Sequence, residues 1–223
     1  MIDSKKNSQG NPGKGLFVTF EGIEGSGKTT QLDLLYQVLK KETIPVIKTF
    51  EPGGSSQGKI IRDLVVGYSR KRISPYAELF LFLADRTQHV CEIILPALSK
   101  NQIVLCDRFS DSTTAYQGYG RGVPLELIDR ANSAAVFNLE PNLTFFLDLP
   151  VEEGLKRVRE RGKLNRMDRE TVSFYEKVRS GYLILAKQFK RIKVLDAMQD
   201  KKALSMQILN EVTKLSVAFR IKV

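Results

Sequence analysis

The stretch Gly22-Ile23-Glu24-Gly25-Ser26-Gly27-Lys28-Thr29 decides the fold of this chain, because it matches G-x-x-x-x-G-K-[ST], the phosphate-binding loop or P-loop. Residues 16–20, just before it, are apolar and favour a buried strand, and residues 30–39 carry leucines at helical spacing. A strand, a glycine-rich turn and a helix together direct backbone N–H groups and a helix N-terminus at one anion. The sequence therefore predicts a site for nucleotide phosphates here.

The rest of the chain alternates between apolar strand-like segments and helical segments. The predicted strands are 16–20, 45–50, 103–107, 143–149 and 192–196. The predicted helices are 57–67, 75–100, 124–137, 151–160, 171–190 and 201–218. Such alternation favours a parallel sheet with helices on both faces. We therefore predict a three-layer α/β fold of the P-loop NTPase type, with a five-stranded parallel sheet covered by helices and a small mobile lid.

Length and composition favour one globular domain, since 223 residues suffice for one well-buried core and are few for two. The polar residues 1–14 lack the apolar segment of a secretory signal, and they predict a disordered leader before a single domain at 15–223. No apolar run is long enough to cross a membrane. Cys91 and Cys106 lie in apolar segments outside any metal-ligand spacing, which predicts buried, reduced thiols and a cytoplasmic location.

The net charge of +10 is concentrated in two segments. Residues 156–166 contain six basic side chains and one acidic one, and residues 187–223 contain nine basic and three acidic ones. A nucleic-acid-binding protein has such a charge, and so does an enzyme that closes a cationic flap over polyphosphate. The sequence shows no recognition helix and no aromatic–basic RNA motif, so we expect no nucleic-acid partner.

Three side chains near strand ends suit phosphate and metal chemistry. Lys28 is the cation that the loop places among the β and γ phosphates, and Thr29 offers a hydroxyl to Mg²⁺. Asp107 ends an apolar strand, a position where P-loop proteins keep an acid near the metal. Asp107 also suits the N-cap of a following helix, and the two roles are compatible.

Two further segments suit a second ligand. Glu51 ends the second strand before Pro52-Gly53-Gly54, a pattern that fits either a plain turn or a binding site. Phe82 and Arg86 are four residues apart, so a ring and a cation share one helix face and suit a base, although Phe82 also fits the core. His89 has no second histidine nearby, so we expect no metal or catalytic role for it.

The predicted lid covers about residues 156–168, and its arginines flank Gly162, where the chain is free to bend. Arginines that close over a phosphoryl group neutralise the charge that develops during transfer. Because position 25 is glycine, the P-loop supplies no cation besides Lys28, and we expect Arg161 or Arg166 to supply the second. The same pattern also fits a solvated helix face.

Together these segments resemble the thymidylate kinase family over about residues 16–210. The resemblance is carried by Gly22–Thr30, Glu51–Gly54, Ala77–Arg86, Cys106–Phe109, Asp111–Gly118 and Arg161–Asp168. The Asp-Arg-Phe element with the downstream Ala-Tyr-Gln-Gly is far more specific than the P-loop alone. The resemblance implies phosphorylation of dTMP to dTDP with ATP and Mg²⁺, by direct in-line transfer for dTTP synthesis, in a homodimer. It points to the bacterial branch, which carries lid arginines in place of a P-loop arginine.

The resemblance also implies the site residues. For ATP these are Gly22, Ile23, Glu24, Gly25, Ser26, Gly27, Lys28, Thr29 and Thr30, and for Mg²⁺ they are Thr29 and Asp107. For dTMP they are Glu51, Phe82, Arg86, Arg108, Thr113, Tyr116 and Gln117. The implied catalytic residues are Lys28, Arg161, Arg166, Arg108 and Glu24, the last near the sugar 3′-hydroxyl.

Within the acceptor set, the resemblance assigns a different task to each side chain. Phe82 is expected to stack on thymine, and Arg86 and Gln117 are expected to hydrogen-bond its polar edge. Arg108 is expected to hold the dTMP phosphate. Tyr116 is expected to crowd the 2′ position of the sugar and so to favour deoxyribose.

Three positions depart from the usual bacterial pattern. Phe50 stands where arginine is usual, Ser55 where threonine is common, and Asn165 where an acid is usual. The first change removes a cation on the phosphate side. Arg62, on the next predicted helix, is the candidate for a partial substitute.

Three other functions fit part of the sequence. A kinase for dUMP or dCMP on the same fold differs only in its base pocket, and a pocket for one methyl group discriminates by about 10–200-fold. A nucleic-acid-dependent ATPase fits the basic charge. A GTPase switch fits the P-loop, but the sequence lacks an Asn-Lys-x-Asp run for reading guanine.

Overall fold

A computed structural model describes residues 15–67, 73–162 and 165–218 of the chain. The strands are β1 (Leu16–Glu21), β2 (Val46–Phe50), β3 (Ile103–Asp107), β4 (Leu143–Asp148) and β5 (Ile192–Asp196). They form one parallel sheet in the order β2-β3-β1-β4-β5. The predicted α/β fold is confirmed. The predicted leader at 1–14 and lid residues 163–164 lie outside the described residues.

The helices cover both faces of the sheet. They are α1 (Lys28–Lys41), α2 (Ser56–Val65), α3 (Pro75–His89), α4 (Leu95–Ser99), α5 (Ser110–Thr113), α6 (Leu125–Ala135), α7 (Val151–Arg161), α8 (Val172–Gln188) and α9 (Lys201–Ala218). A short 3₁₀ turn, Met167–Arg169, precedes α8.

Alternate residues of the central strand enter different cores, because successive side chains of a strand point to opposite faces. Leu16, Val18 and Phe20 pack in one core with residues of α1 and α9. Phe17, between them, packs in a second core with residues of 90–98. Both sides of β1 are therefore buried, which explains why its sequence is continuously apolar.

The strand register brings the predicted site residues to one edge. Phe20, near the end of β1, lies beside Asp107 of β3, and Phe50 of β2 lies on the other side of Asp107. Parallel strands that end together leave a crevice beyond their carboxyl ends. The P-loop, Glu51 and Asp107 consequently meet there.

The predicted helix 75–100 is interrupted. After α3 a wider, π-type turn spans Val90–Ile94, with a hydrogen bond from Leu95 N–H to the Val90 carbonyl. Pro96 has no N–H, so it cannot donate the next backbone hydrogen bond of an α-helix. The missing bond accounts for the wider turn.

The segment 110–120, for which no helix was predicted, forms α5 and a π-type turn, Thr114–Gly120. Its serine, threonine and glycine residues are weak helix formers, so this segment carries no helical pattern in the sequence. Close packing on α8 supplies the missing stability. A Cβ at Gly181 would lie 2.5 Å from the Tyr119 ring, so glycine is what permits this approach.

The cysteine prediction is half wrong. Cys106 is buried in β3, but Cys91 is exposed. Its neighbours in the π-type turn, Val90 and Ile94, face the core, and Cys91 faces outward. Within the described ranges, none of the helices combines the length and the apolar character that crossing a membrane requires.

Candidate active site

A cleft of about 810 Å³ lies beyond the carboxyl ends of β1, β2 and β3. The predicted site residues that line it are Glu24, Gly25, Gly27, Lys28, Thr29, Thr30, Glu51, Phe82, Arg86, Asp107, Arg108, Thr113, Tyr116, Gln117 and Arg161. The predicted site residues outside its lining are Gly22, Ile23, Ser26 and Arg166. Groups predicted for the donor and for the acceptor thus share one cleft.

The P-loop backbone depends on glycine. Gly22, Gly25 and Gly27 have φ values of 145°, 77° and 89°, which L side chains rarely adopt. A Cβ at position 25 would also lie 2.3 Å from the carbonyl oxygen of Gly154 in α7. Position 25 therefore has no room for an arginine, and a second cation must come from another segment.

Lys28 is held inside the loop. Its Nζ donates to the carbonyl of Ile23 at 2.7 Å and to Ser26 Oγ at 3.3 Å. Burial, with the nearby charge of Arg108, lowers the pKa of Lys28 to about 8. A phosphate in the loop would add negative charge beside this buried ammonium and so stabilise it.

Thr29 and Asp107, the predicted metal ligands, are brought together, since Thr29 Oγ1 donates to Asp107 Oδ2 at 2.5 Å. Hydroxyl and carboxylate oxygens are ligands that Mg²⁺ prefers. No group of three or more His, Cys, Asp or Glu side chains in the described residues could hold a metal ion. Asp107 does not cap α5, which begins three residues later, after Phe109.

Glu24, Arg108 and Tyr116 form a connected group beside the P-loop. Arg108 donates to Glu24 Oε1 at 2.9 Å and to the carbonyl of Gly22 at 2.9 Å. The hydroxyl of Tyr116 donates to Glu24 Oε2 at 2.5 Å. Burial opposes ionisation of Glu24, but the charges of Arg108 and Lys28 hold its pKa below the usual value. An ionised carboxylate and a fixed guanidinium therefore face the cleft together.

Glu51 orients Arg86. Arg86 Nε donates to Glu51 Oε2 at 2.7 Å, and His89 Nδ1 lies 2.9 Å from Glu51 Oε1. The same guanidinium donates to Thr113 Oγ1 at 2.6 Å and to Asn132 Oδ1 at 3.0 Å. Burial opposes ionisation of Glu51, and the charge of Arg86 lowers its pKa. His89 is therefore a buried supporting residue.

The two lid arginines face different ways. Arg161 lines the cleft, and its guanidinium lies 3.1 Å from Asp168 Oδ2. Arg166 donates through Nε to the carbonyl of Val65 at 2.7 Å and through a terminal nitrogen to Glu78 Oε2 at 2.5 Å. The geometry favours Arg161 over Arg166 as the cation for a phosphoryl group.

Phe50 and Arg62 are neighbours at the cleft wall. The guanidinium carbon of Arg62 lies 5.4 Å from the centre of the Phe50 ring, a cation–π distance. Arg62 also donates to the carbonyl of Pro52 at 2.6 Å. The cation predicted as a substitute for an arginine at position 50 therefore lies beside that position and lines the cleft.

Two features of the site were missed in the sequence. Glu21, at the end of β1, accepts hydrogen bonds from the Phe109 backbone N–H at 2.7 Å, Ser112 at 2.6 Å and Tyr182 at 2.8 Å. Arg157 lies 3.5 Å from the carbonyl of Gly25. The Glu21 contacts join residues up to 161 positions apart, so local pattern gave no signal, whereas Arg157 lay within the basic run.

Comparison with known proteins identifies the family. The family model described as "Thymidylate kinase" matches residues 20–208. The chain belongs to the thymidylate kinase family. Membership makes it a kinase, a transferase of nucleotide biosynthesis, and it confirms the resemblance drawn from the sequence.

Relatives support the family over most of the chain. A thymidylate kinase of Desulfovibrio desulfuricans is 48% identical over 200 residues, which are 86% of this chain and 92% of that protein. One from Pelotomaculum thermopropionicum is 42% identical over 208 residues, covering 92% of this chain and 96% of that protein. A crystal structure of thymidylate kinase from Ehrlichia chaffeensis has a TM-score of 0.74 and 35% identity, covering 91% of this chain and all of the other.

Proposed function

We propose that this thymidylate kinase family member phosphorylates dTMP to dTDP with ATP, in a single kinase domain at 15–223. One observation carries the proposal: a single cleft holds a P-loop with its lysine and, beside it, an aromatic, an amide and two arginines suited to a nucleotide. Relatives that are 42–48% identical are named thymidylate kinases.

On the donor side, Gly22–Thr30 are proposed to bind the ATP phosphates through backbone N–H groups and Lys28. Thr29 and Asp107 are proposed to hold Mg²⁺. The ion, when bound, neutralises charge on the phosphates. The 2.5 Å contact between the side-chain oxygens of Thr29 and Asp107 supports their assignment to one metal ion.

On the acceptor side, Phe82 is proposed to stack on the base, with Arg86 and Gln117 at its polar edge. Tyr116 lies against the sugar in this arrangement, and Arg108 holds the acceptor phosphate. Arg108 contacts the carbonyl of Gly22, so a phosphate on it lies next to the loop that holds the donor.

The proposed reaction is direct in-line transfer. An acceptor phosphate oxygen attacks the γ-phosphorus, the bond to the β–γ bridging oxygen breaks, and ADP leaves. Such a reaction needs positioning and charge neutralisation more than covalent catalysis. Lys28 and Arg161 are proposed to supply the charge, and closure of the lid at about 156–168 is proposed to exclude water.

We also propose that the chain is a cytoplasmic homodimer with no nucleic-acid or membrane partner. Its free thiols suit a reducing compartment. Large apolar side chains are exposed on α2 and α3, which pack against each other: Ile60, Leu64, Tyr76 and Phe80. Exposed apolar groups on adjacent helices are typical of a surface that a second copy covers.

A coupled assay of ADP formation across dTMP, dUMP, dCMP, dGMP and dAMP, with and without DNA, tests the proposal. We expect the highest kcat/KM with dTMP, a lower value with dUMP by about 10–200-fold, and no effect of DNA. Preference for another acceptor, or DNA-dependent ATP hydrolysis without transfer, would overturn it.

A further inference from the structure

Glu78 joins the acceptor side of the cleft to the end of the lid. It lies on α3 and is fully buried. Its Oε1 accepts from Gln117 Nε2 at 2.8 Å and from Arg121 Nε at 3.0 Å. Its Oε2 accepts from Arg121 at 3.3 Å and from Arg166 at 2.5 Å. Both carboxylate oxygens are therefore fixed by donors from two other segments of the chain.

Glu78 stays ionised in this setting. Burial opposes ionisation, but the hydrogen bond and charge of Arg121 and the hydrogen bond of Gln117 hold its pKa below the usual value. An ionised carboxylate accepts hydrogen bonds and donates none. The amide of Gln117 must therefore turn its NH₂ group, and not its oxygen, toward Glu78.

This contact sets what Gln117 offers to a ligand. Gln117 lines the cleft and is 3% exposed. Its Nε2 is used by Glu78, and its Oε1 accepts no hydrogen bond from any residue that the structure describes. The amide oxygen is therefore the hydrogen-bonding group that Gln117 can offer to a ligand in the cleft.

Arg86, also in the cleft wall, offers the opposite polarity. Four of its five N–H groups donate to protein acceptors: Glu51, Thr113, Asn132 and the carbonyl of Phe109. A guanidinium has no acceptor atom, so any hydrogen-bonding group that Arg86 offers to a ligand in the cleft is a donor. Of these two cleft-lining side chains, Gln117 can therefore offer an acceptor and Arg86 can offer only donors.

Thymine carries an N3–H donor between two carbonyl acceptors, whereas cytosine carries an N3 acceptor beside an amino donor. We propose that Glu78 is a positioning residue that fixes the polarity of the Gln117 amide and thereby makes the cleft select thymine over cytosine. This inference rests on the proposed dTMP kinase activity. Glu78 acts through Gln117 and touches no substrate.

Replacing the carboxylate tests the proposal. In Glu78→Gln, the new amide keeps its oxygen at the Oε2 position, because Arg166 and a terminal nitrogen of Arg121 both donate there. Its NH₂ then takes the Oε1 position, where it faces Arg121 Nε and Gln117, and the Gln117 amide turns over and presents nitrogen to the cleft. We expect the ratio of kcat/KM for dTMP to that for dCMP to fall at least tenfold. The KM for dTMP should rise, and the KM for ATP should change less than twofold.

Arg166→Met is the matched control. It removes another partner of Glu78 but leaves the carboxylate beside Arg121 and the Gln117 amide in place. We expect lower thermal stability and a dTMP/dCMP ratio within about twofold of wild type. An unchanged ratio in Glu78→Gln, or an equal fall in both variants, would overturn the proposal.

A second variant covers the case in which Glu78→Gln does not fold. Glu78→Met with Arg166→Met removes one charge of each sign and provides no acceptor for the Gln117 amide. Its dTMP/dCMP ratio should also fall at least tenfold, and an unchanged ratio would count against the proposal. A wild-type enzyme inactive on dTMP would instead refute the proposed function, so the two failures are distinguishable.

Discussion

Lys28 is the cation on which donor binding is proposed to depend. We expect Lys28→Ala to lower kcat at least 100-fold, about 2.7 kcal/mol, because one preorganised charge is worth that much in a water-excluded site. Lys40→Ala, on the exposed face of the same helix, is the control and should keep its activity. Steady-state kinetics measure the change in kcat, and circular dichroism checks that the variants are folded. Near-normal turnover in a folded Lys28→Ala protein would contradict the proposed role of Lys28.

The same lysine predicts a pH dependence. Its pKa of about 8 means that the ammonium loses its proton as the pH rises through that value. The profile of kcat/KM reports ionisations of the free enzyme, so kcat/KM for ATP should fall above about pH 8. A profile that stays flat to pH 9.5 would show that charge on Lys28 is not required.

Glu21 makes a prediction about stability. Burial and the charge of Asp111 raise its pKa from 4.5 to about 7. Between these two values the folded state holds a proton that the unfolded state releases. The contribution of this proton to the free energy of unfolding is complete below pH 4.5 and is lost as the pH rises through 7. In Glu21→Gln this titration is absent. Between pH 5 and 8, urea unfolding should show wild type losing about 2 kcal/mol more than the variant. If the free energy of unfolding changed with pH in the same way in wild type and in Glu21→Gln, the raised pKa of Glu21 would be contradicted.

At the scale of elements, α7, which begins before the proposed lid and runs into it, packs closely against the P-loop. Position 25 leaves no space for a second cation in the loop beside Lys28, and α7 ends with Arg161 in the cleft wall. A contact made only in the transition state appears in kcat, whereas a contact made throughout appears in KM. If Arg161 has the proposed role, the proposed lid therefore also supplies charge to the site.

We expect Arg161→Ala to lower kcat at least tenfold, about 1.4 kcal/mol, with a smaller change in KM for dTMP. Arg159→Ala, an exposed arginine on the same helix, should change kcat less than twofold. Steady-state kinetics on both variants, and on Arg166→Ala, make the comparison. Equal kcat in Arg161→Ala and Arg159→Ala would mean that the basic run is only a solvated face.

At the scale of the whole molecule, the proposed dimer should depend on the exposed face of α2 and α3. Phe80 is 55% exposed there, and a charge at its centre is costly to bury. We expect Phe80→Asp to convert a dimer to a monomer in sedimentation velocity. Met206→Asp, at an exposed position on α9, should leave the dimer intact. A wild-type monomer, or a dimer in both variants, would exclude this face as the interface.

The sequence by itself determined the fold class, because each signal is local. Apolar β-strands buried on both sides and alternating with helices specify a parallel sheet, and the glycine spacing of 22–29 specifies a loop that only glycine can form. Lys28 and Thr29 were predicted as site residues from the P-loop motif, and Glu51 and Asp107 from their places at strand ends, which are local signals as well; all four line one cleft.

Tertiary structure alone decided how the side chains pair. The buried bonds of Glu21 and the bonds of Glu78 to Gln117 and Arg166 join segments 39 to 161 residues apart, and no periodic pattern records such contacts. The same holds for the helical turn at 110–120, whose weak local propensity is overridden by packing on α8. The direction of a side chain is likewise decided by the folded chain. Two arginines five residues apart in the lid differ in this respect, since Arg161 lines the cleft and Arg166 donates to Glu78.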